Sequence, residues 1–276
     1  MKMSSWIFRL TLFLALVIQI TSCQKIIDHW PGHGHGDGNG DSTVHFRIKS
    51  IKYSSNQASD NTHLNLATFY YGSSNLLDSI VSPGDPQDYF NRVLHFTYDQ
   101  NGKLLRYSRK AYISYYSETL DDKYRYGNNN QVVKDTMRFE GYTIGHTVFS
   151  DLSYDLDGRI VKDYYYISGD GGAFPPDTLL FNYDAQGNRG IVSAGATIIL
   201  ANTGGGNTNN TEYDDKTAYR STNPIFQMID RDYSANNSIL ATGYNSAGLP
   251  LGFKAGSTEE FLDLGEPREI EWEELP

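Results

Sequence analysis

The chain repeats itself, and this constrains its fold more than any other feature. Phe96-Thr-Tyr98-Asp99-Gln-Asn-Gly102-Lys-Leu104 returns as Leu152-Ser-Tyr154-Asp155-Leu-Asp-Gly158-Arg-Ile160, and again as Phe181-Asn-Tyr183-Asp184-Ala-Gln-Gly187-Asn188. Weaker copies surround Tyr126, Tyr213-Asp214-Asp215-Lys216 and Tyr244-Asn245-Ser-Ala-Gly248, and a degenerate one begins near Phe69-Tyr70-Tyr71. From Tyr98 onward the key tyrosines are 28, 28, 29, 30 and 31 residues apart. A drifting period of this length means one supersecondary unit duplicated along the chain, with loops lengthening toward the C-terminus.

The unit reads as a β-hairpin. Leu94, Phe96 and Tyr98 share one phase of a period-two alternation, and His95, Thr97 and Asp99 take the other, which is a half-buried strand. Asp-x-x-Gly then supplies the turn. The Asp99, Asp155 and Asp184 carboxylates suit the first position of a type I turn, bonding the amide two residues on. Gly102, Gly158 and Gly187 suit a left-handed backbone in a bulged hairpin. Second strands follow over 103–111 and 159–167. A residue repeated with every unit is read as structural.

Six or seven such hairpins predict twelve to fourteen antiparallel strands, which must pair side by side because isolated hairpins are marginal. The composition agrees: 21 Tyr, 13 Phe and 26 Gly among 276 residues fit a sheet with many turns. The fold class is therefore all-β, an antiparallel up-and-down meander of repeated hairpins. A sheet this wide curls to protect its edges, so we expect a curved sheet or open barrel, with a β-sandwich as the alternative. A membrane-spanning barrel fits poorly, because charges such as Lys103, Arg106, Arg109 and Lys110 interrupt both faces. Tyr164-Tyr165-Tyr166 and the tyrosines of 112–116 put aromatic rings on both faces, so each face is partly wet.

The N-terminus reads as an export signal. Lys2 and Arg9 precede a short apolar stretch, 10–18, that is too brief for the ~20 residues of a spanning helix. Ile20-Thr21-Ser22-Cys23 resembles the lipobox of bacterial lipoproteins, and Cys23 is the chain's one cysteine. The expectation is a signal over 1–22, lipidation of Cys23, and anchorage at the cell envelope, in the outer membrane of a Gram-negative bacterium. Loss of Lys2 and Arg9 would take the formal charge from -10 to -12. Such acidity argues against nucleic acid as a partner.

Residues 23–43 form a Gly/His-rich tether, PGHGHGDGNGDS at its centre, that has no apolar surface to bury. His33, His35, Asp37 and Asp41 are weak candidate transition-metal ligands. The calcium-loop pattern begun by Asp37, Asn39 and Asp41 fails at Ser42 and at Ile48. The hairpin domain spans 44–258. Residues 259–276 form an acidic segment, read as a solvated tail, with Ile270 and Trp272 in a last strand as the alternative; 257–265 carry the signals of a short helix.

The Tyr-Asp-x-x-Gly-[Lys/Arg/Asn] hairpins resemble YD (Rhs-type) repeats, with a period longer than the ~20 residues of those arrays. Together with the lipobox, the chain resembles a family of Bacteroidetes-type lipoproteins carrying such repeats, over about residues 66–252. The resemblance implies a porin-like β fold and no activity.

No catalytic motif is present: no nucleophile elbow, zincin, P-loop or dinucleotide fingerprint. His63, His95 and His146 read as strand or loop residues, and no catalytic residue, cofactor or firm metal site is assigned. The chain reads as a non-enzymatic β-repeat module that binds a glycan or an envelope protein. The alternative is a glycan-active enzyme with a carboxylate pair in a Tyr-lined cleft.

Overall fold

A computed structural model describes residues 45–54, 64–83, 90–113, 116–141, 145–169, 172–193, 213–238, 241–254, 261–262 and 264–275. The strands are β1 (His45–Ser54), β2 (Asn65–Tyr71), β3 (Leu77–Ser82), β4 (Phe90–Tyr98), β5 (Leu104–Ile113), β6 (Tyr116–Tyr126), β7 (Val132–Glu140), β8 (Gly145–Tyr154), β9 (Ile160–Gly169), β10 (Gly172–Ala173), β11 (Asp177–Tyr183), β12 (Arg189–Ser193), β13 (Tyr213–Thr217), β14 (Asn236–Ser238), β15 (Ala241–Tyr244), β16 (Pro250–Phe253) and β17 (Glu266–Leu275). Thirteen of them form one antiparallel sheet in the order β12-β11-β9-β8-β7-β6-β5-β4-β3-β2-β1-β17, with β10 added beside β9. It is a meander, and β12 and β17 lie at its two ends, so it does not close into a barrel; nor is it a sandwich.

Each hairpin closes in the same way. The repeat tyrosine pairs with the residue six positions on, as in Tyr98↔Leu104 and Tyr154↔Ile160, just after a bulge. Inside the turn Gly102 N donates to Asp99 O at 3.1 Å, and Asp99 Oδ1 accepts from the amides of Asn101 and Lys103 at 2.8 and 2.9 Å. Asp155, Asp184 and Asn245 repeat this double acceptance. Gly102, Gly158, Gly187 and Gly248 have φ of 76° to 85°, in the left-handed region. Two degenerate copies exchange the roles. Gly72 and Gly127 stand where the others have Asp, and Asn75 and Asn130 take the left-handed position, at φ 59° and 69°.

The tyrosines join one hairpin to the next. Tyr98 Oη donates to the carbonyl of Leu77, which closes the preceding hairpin, at 2.8 Å. Tyr126 reaches Leu104, Tyr154 reaches Val132, Tyr183 reaches Ile160 and Tyr213 reaches Arg189 in the same way, at 2.7–3.0 Å. Each bond is worth about 1 kcal/mol. The cation after the turn glycine then covers the next ring in the ladder. Lys103 lies 5.3 Å from the Tyr126 centroid and Arg159 4.2 Å from that of Tyr183. The ladder accounts for both the Tyr and the Lys/Arg of the motif.

The Tyr213 copy keeps the hydroxyl bond but forms no hairpin. Its strands β13 and β14 instead bracket an insertion, residues 218–235, which holds a 3-10 turn (Tyr219–Thr222) and helix α1 (Pro224–Ile229). Asn223 caps α1 by accepting from Ile225 N at 3.2 Å, with Pro224 at the first turn. This plug and residues Phe261, Leu262 and Leu264 pack on one face of the sheet. Phe226 meets Phe69 of β2 at 6.3 Å between centroids, while Arg231, five residues on, pairs with Asp163 of β9 at 2.7 Å. Seven strand spacings separate β2 from β9, roughly 34 Å in a flat sheet. Two side chains so close in sequence reach both strands only because the sheet curls around the plug.

The C-terminal segment corrects the solvated-tail reading. Residues 266–275 are β17, paired with β1, with Ile270 buried and Trp272 Nε1 donating to Pro250 O at 2.8 Å. The acids point outward, where Glu273, Glu271 and Glu269 meet Arg47, Lys49 and Lys52 at 2.6–2.7 Å. The described part of 257–265 is not helical: Phe261 and Gly265 form a bridge, and Phe261, Leu262 and Leu264 are buried against the plug.

Candidate functional site

The concave face carries charge where the strand alternation calls for apolar residues. Leu120-Asp122-Tyr124, Asp135-Met137 and Asp163-Tyr165-Ile167 are runs of buried residues in β6, β7 and β9, each containing an aspartate. The three carboxylates are 5%, 4% and 0% exposed. Ser150 of β8 stands directly opposite Asp135. Into this group the plug sends Arg231, held in a left-handed conformation at φ 50° just past α1. Its Nε meets Asp163 Oδ2 at 2.7 Å, and its Nη2 pairs with Asp135 and lies 3.5 Å from Ser150 Oγ. Tyr124 Oη donates to Asp122 Oδ2 at 2.8 Å.

One guanidinium faces three carboxylates, so full ionisation would leave excess negative charge in the interior. Burial, reinforced by the charge of Asp135, pushes Asp122 up to about 8. Burial also raises Asp135 to about 6, against the pull of Arg231. Burial works against the Arg231 charge, but Asp135, Asp163 and Asp122 outweigh it, and its pKa is raised. Asp122 is therefore largely protonated at neutral pH.

A second network ties the plug to itself and to β12. Arg220 Nε pairs with Asp230 Oδ2 at 2.8 Å, and Arg220 Nη1 lies 3.5 Å from Asp232 Oδ2. Arg189 of β12 donates to the carbonyls of Asp230 and Arg231 at 3.2 and 2.7 Å. Asp230 Oδ1 accepts from Leu262 N at 3.1 Å, joining the plug to the 261–264 segment. Burial raises Asp230 to about 6. Asp232 is held below the usual carboxylate range, because Arg189, Arg220 and Ser234 outweigh its burial.

These carboxylates lie under the plug, ion-paired except for Asp122, which accepts from Tyr124, and a sugar ring has no approach to them. A cleft beside Tyr213, Arg220, Asp232 and Asn237 leaves about 10 Å³, room for a water at most and far below the ~300–1,000 Å³ of small-molecule sites. Among the described residues no group of three or more His, Cys, Asp or Glu is placed to hold a metal ion.

Asp99, Asp155, Asp184 and their glycines lie along one rim, well apart from the buried cluster, each satisfied inside its own turn. His95 is exposed on β4; His146 stacks on Phe139 at 5.0 Å, its pKa lowered by burial. Cys23, His33, His35, Asp37, Asp41 and His63 lie outside the described residues. Sequence reasoning missed Asp122, Asp135, Asp163 and Arg231; the available signal was an aspartate in the apolar phase of three of four consecutive strands, β6, β7 and β9. No protein-family model matches the chain, and no curated protein matches it in sequence.

Proposed function

We propose that this chain is an exported, non-enzymatic binding module, anchored at the cell envelope through a lipid on Cys23, in the outer membrane of a Gram-negative bacterium. The observation that carries the reading is the plug. It fills the concave face of the curved sheet, where an open cleft would otherwise lie, and it buries the interior carboxylates and pairs Asp135 and Asp163 with Arg231. The surfaces left for contact are the convex face and the rim of turns. The lipobox-like Ile20-Thr21-Ser22-Cys23 and the Gly-rich tether support the anchored part of the reading.

A polysaccharide hydrolysis screen on the full chain tests the non-enzymatic part: no cleavage is expected, and cleavage of any polymer overturns it. Mass spectrometry of the membrane-extracted protein tests the anchor. Lipid on Cys23 is expected, lost in Cys23→Ala, and an unmodified mature Cys23 overturns the localisation.

A further inference from the structure

The convex face of β5–β9 has a charge balance opposite to that of the chain, which is -10 overall. It carries seven cations and three carboxylates, Asp121, Glu140 and Asp151. Beside the cations lies an aromatic shelf: Phe149 and Tyr166 face each other across β8 and β9, with rings stacked at 4.7 Å and 14°. Tyr166 is 41% exposed and Tyr164, two residues away, 38%. We propose that this face binds an anionic polysaccharide, its cations taking the acidic groups and its aromatic shelf stacking on sugar rings. The proposal rests on the binding-module reading and names its surface and ligand class.

Cation placement is the first argument. Arg106 stands directly opposite Lys123, and Arg125 directly opposite Lys134. Like charges in register destabilise a sheet, and stability alone would put a carboxylate on one side of each pair. The same sheet does so at its other end, where Arg47 faces Glu273 and Lys52 faces Glu269. Arg106 and Lys123 share Asp121, and Lys134 takes Asp151, but Arg125 has no ion-pair partner among the described residues. Continuity is the second argument. Arg106, Lys123, Thr136, Phe149 and Tyr166 form one unbroken row across five strands, roughly 19 Å long. An extended polymer lying along that row meets cations first, then a hydroxyl, then two rings.

The physics favours a sparse polyanion. Charges separated by more than ~10 Å are screened at 0.1 M salt, so the patch attracts locally although the whole chain is acidic. A nucleic acid, with one charge per ~1.7 Å of duplex, meets the repulsion of the rest of the molecule as well. A bilayer surface takes apolar insertion, and this regular sheet face is interspersed with Thr136, Thr147 and Asp151; the exposed Leu156 lies off it, at the tip of the β8–β9 turn.

The test uses the full chain in detergent with dextran sulfate, polygalacturonate, uncharged dextran and a single-stranded oligonucleotide, and the full Cys23→Ala chain without detergent with phosphatidylglycerol vesicles. Expected is binding to both charged polysaccharides, weakening as salt rises, and none to dextran. The variant Lys123→Glu/Arg125→Glu turns both like-charge pairs into opposite pairs. It should lose about tenfold or more in affinity while its melting temperature stays level or rises. Tyr166→Ala should lose affinity several-fold. The proposal is overturned if neither charged polysaccharide binds at low salt, if the double variant binds as well as the parent, or if the oligonucleotide or the vesicles bind more tightly through the same residues. Cleavage of a polymer bound here would remove the non-enzymatic reading and leave the face standing. Absence of binding without cleavage would do the reverse.

Discussion

The two faces of the sheet are written by the same strands, in alternate residues, and they treat charge in opposite ways. On β6 Asp122 is buried while its neighbour Lys123 is exposed; on β7 Asp135 is buried beside exposed Lys134; on β9 Asp163 is buried beside exposed Lys162. Inside, acids gather around one arginine from a distant plug, and a missing partner is costly. Outside, cations sit opposite cations, and water and salt make this tolerable. The difference teaches that a charged residue within a strand does not mark the solvent face. Alternation gives the phase, and what packs against each phase decides whether it is wet.

The largest expected effect breaks the inside. Arg231→Met leaves Asp135 and Asp163 buried without their cation and should cost about 3–5 kcal/mol in chemical denaturation. The matched change outside, Arg125→Met, should stay within about 0.5 kcal/mol. Equal costs for the two would dissolve the contrast.

The next is a pH dependence. With Asp122 raised to about 8, the folded chain keeps a proton that the unfolded chain releases near pH 4. The unfolded state then binds fewer protons, so this group's contribution to stability falls as pH rises from about 4 to about 8, then levels. Asp122→Asn, which cannot ionise, should gain on the parent across that window. A stability difference that stays flat from pH 4 to 8 would mean the carboxylate is not held protonated.

Smaller effects belong to the rim, which is neither face. Gly158→Val forces a β-branched residue into φ 79° and should cost at least about 1 kcal/mol. Asp155→Asn should lose less than that, because the amide makes the same turn bonds and only the part-buried ion pair with Arg159 goes. Thermal unfolding of both variants checks the order, and the reverse order would reject a turn-building role for the motif. Tyr154→Phe, which removes one rung of the ladder, should cost about 1 kcal/mol, against none for Tyr164→Phe on the convex face.

Much of the fold was legible, and for a local reason. A hairpin with a tight turn involves residues within six positions of one another, so Asp99, Gly102 and the alternation around Phe96 carry their own geometry. Repetition then says that such units pair in order. Two features were not settled by the sequence, the last strand standing only as the alternative reading and the Arg231 cluster escaping, because their partners are distant in sequence. Ile270 and Trp272 form a strand only because β1, more than 200 residues earlier, offers its edge and its cations. Arg231 reads as an ordinary loop residue until the chain folds it against β7 and β9.

The sequence by itself determined the meander: strand phase, turn chemistry, and the repetition of both along the chain. Only the tertiary structure decided which phase faces inward, that the sheet curls without closing, and that the chain supplies its own plug. The reason is that backbone turns and alternation are set within a few residues. Burial of Asp122, Asp135 and Asp163 is set by what arrives from elsewhere, and a lone aspartate in a strand carries no mark of the arginine that will meet it.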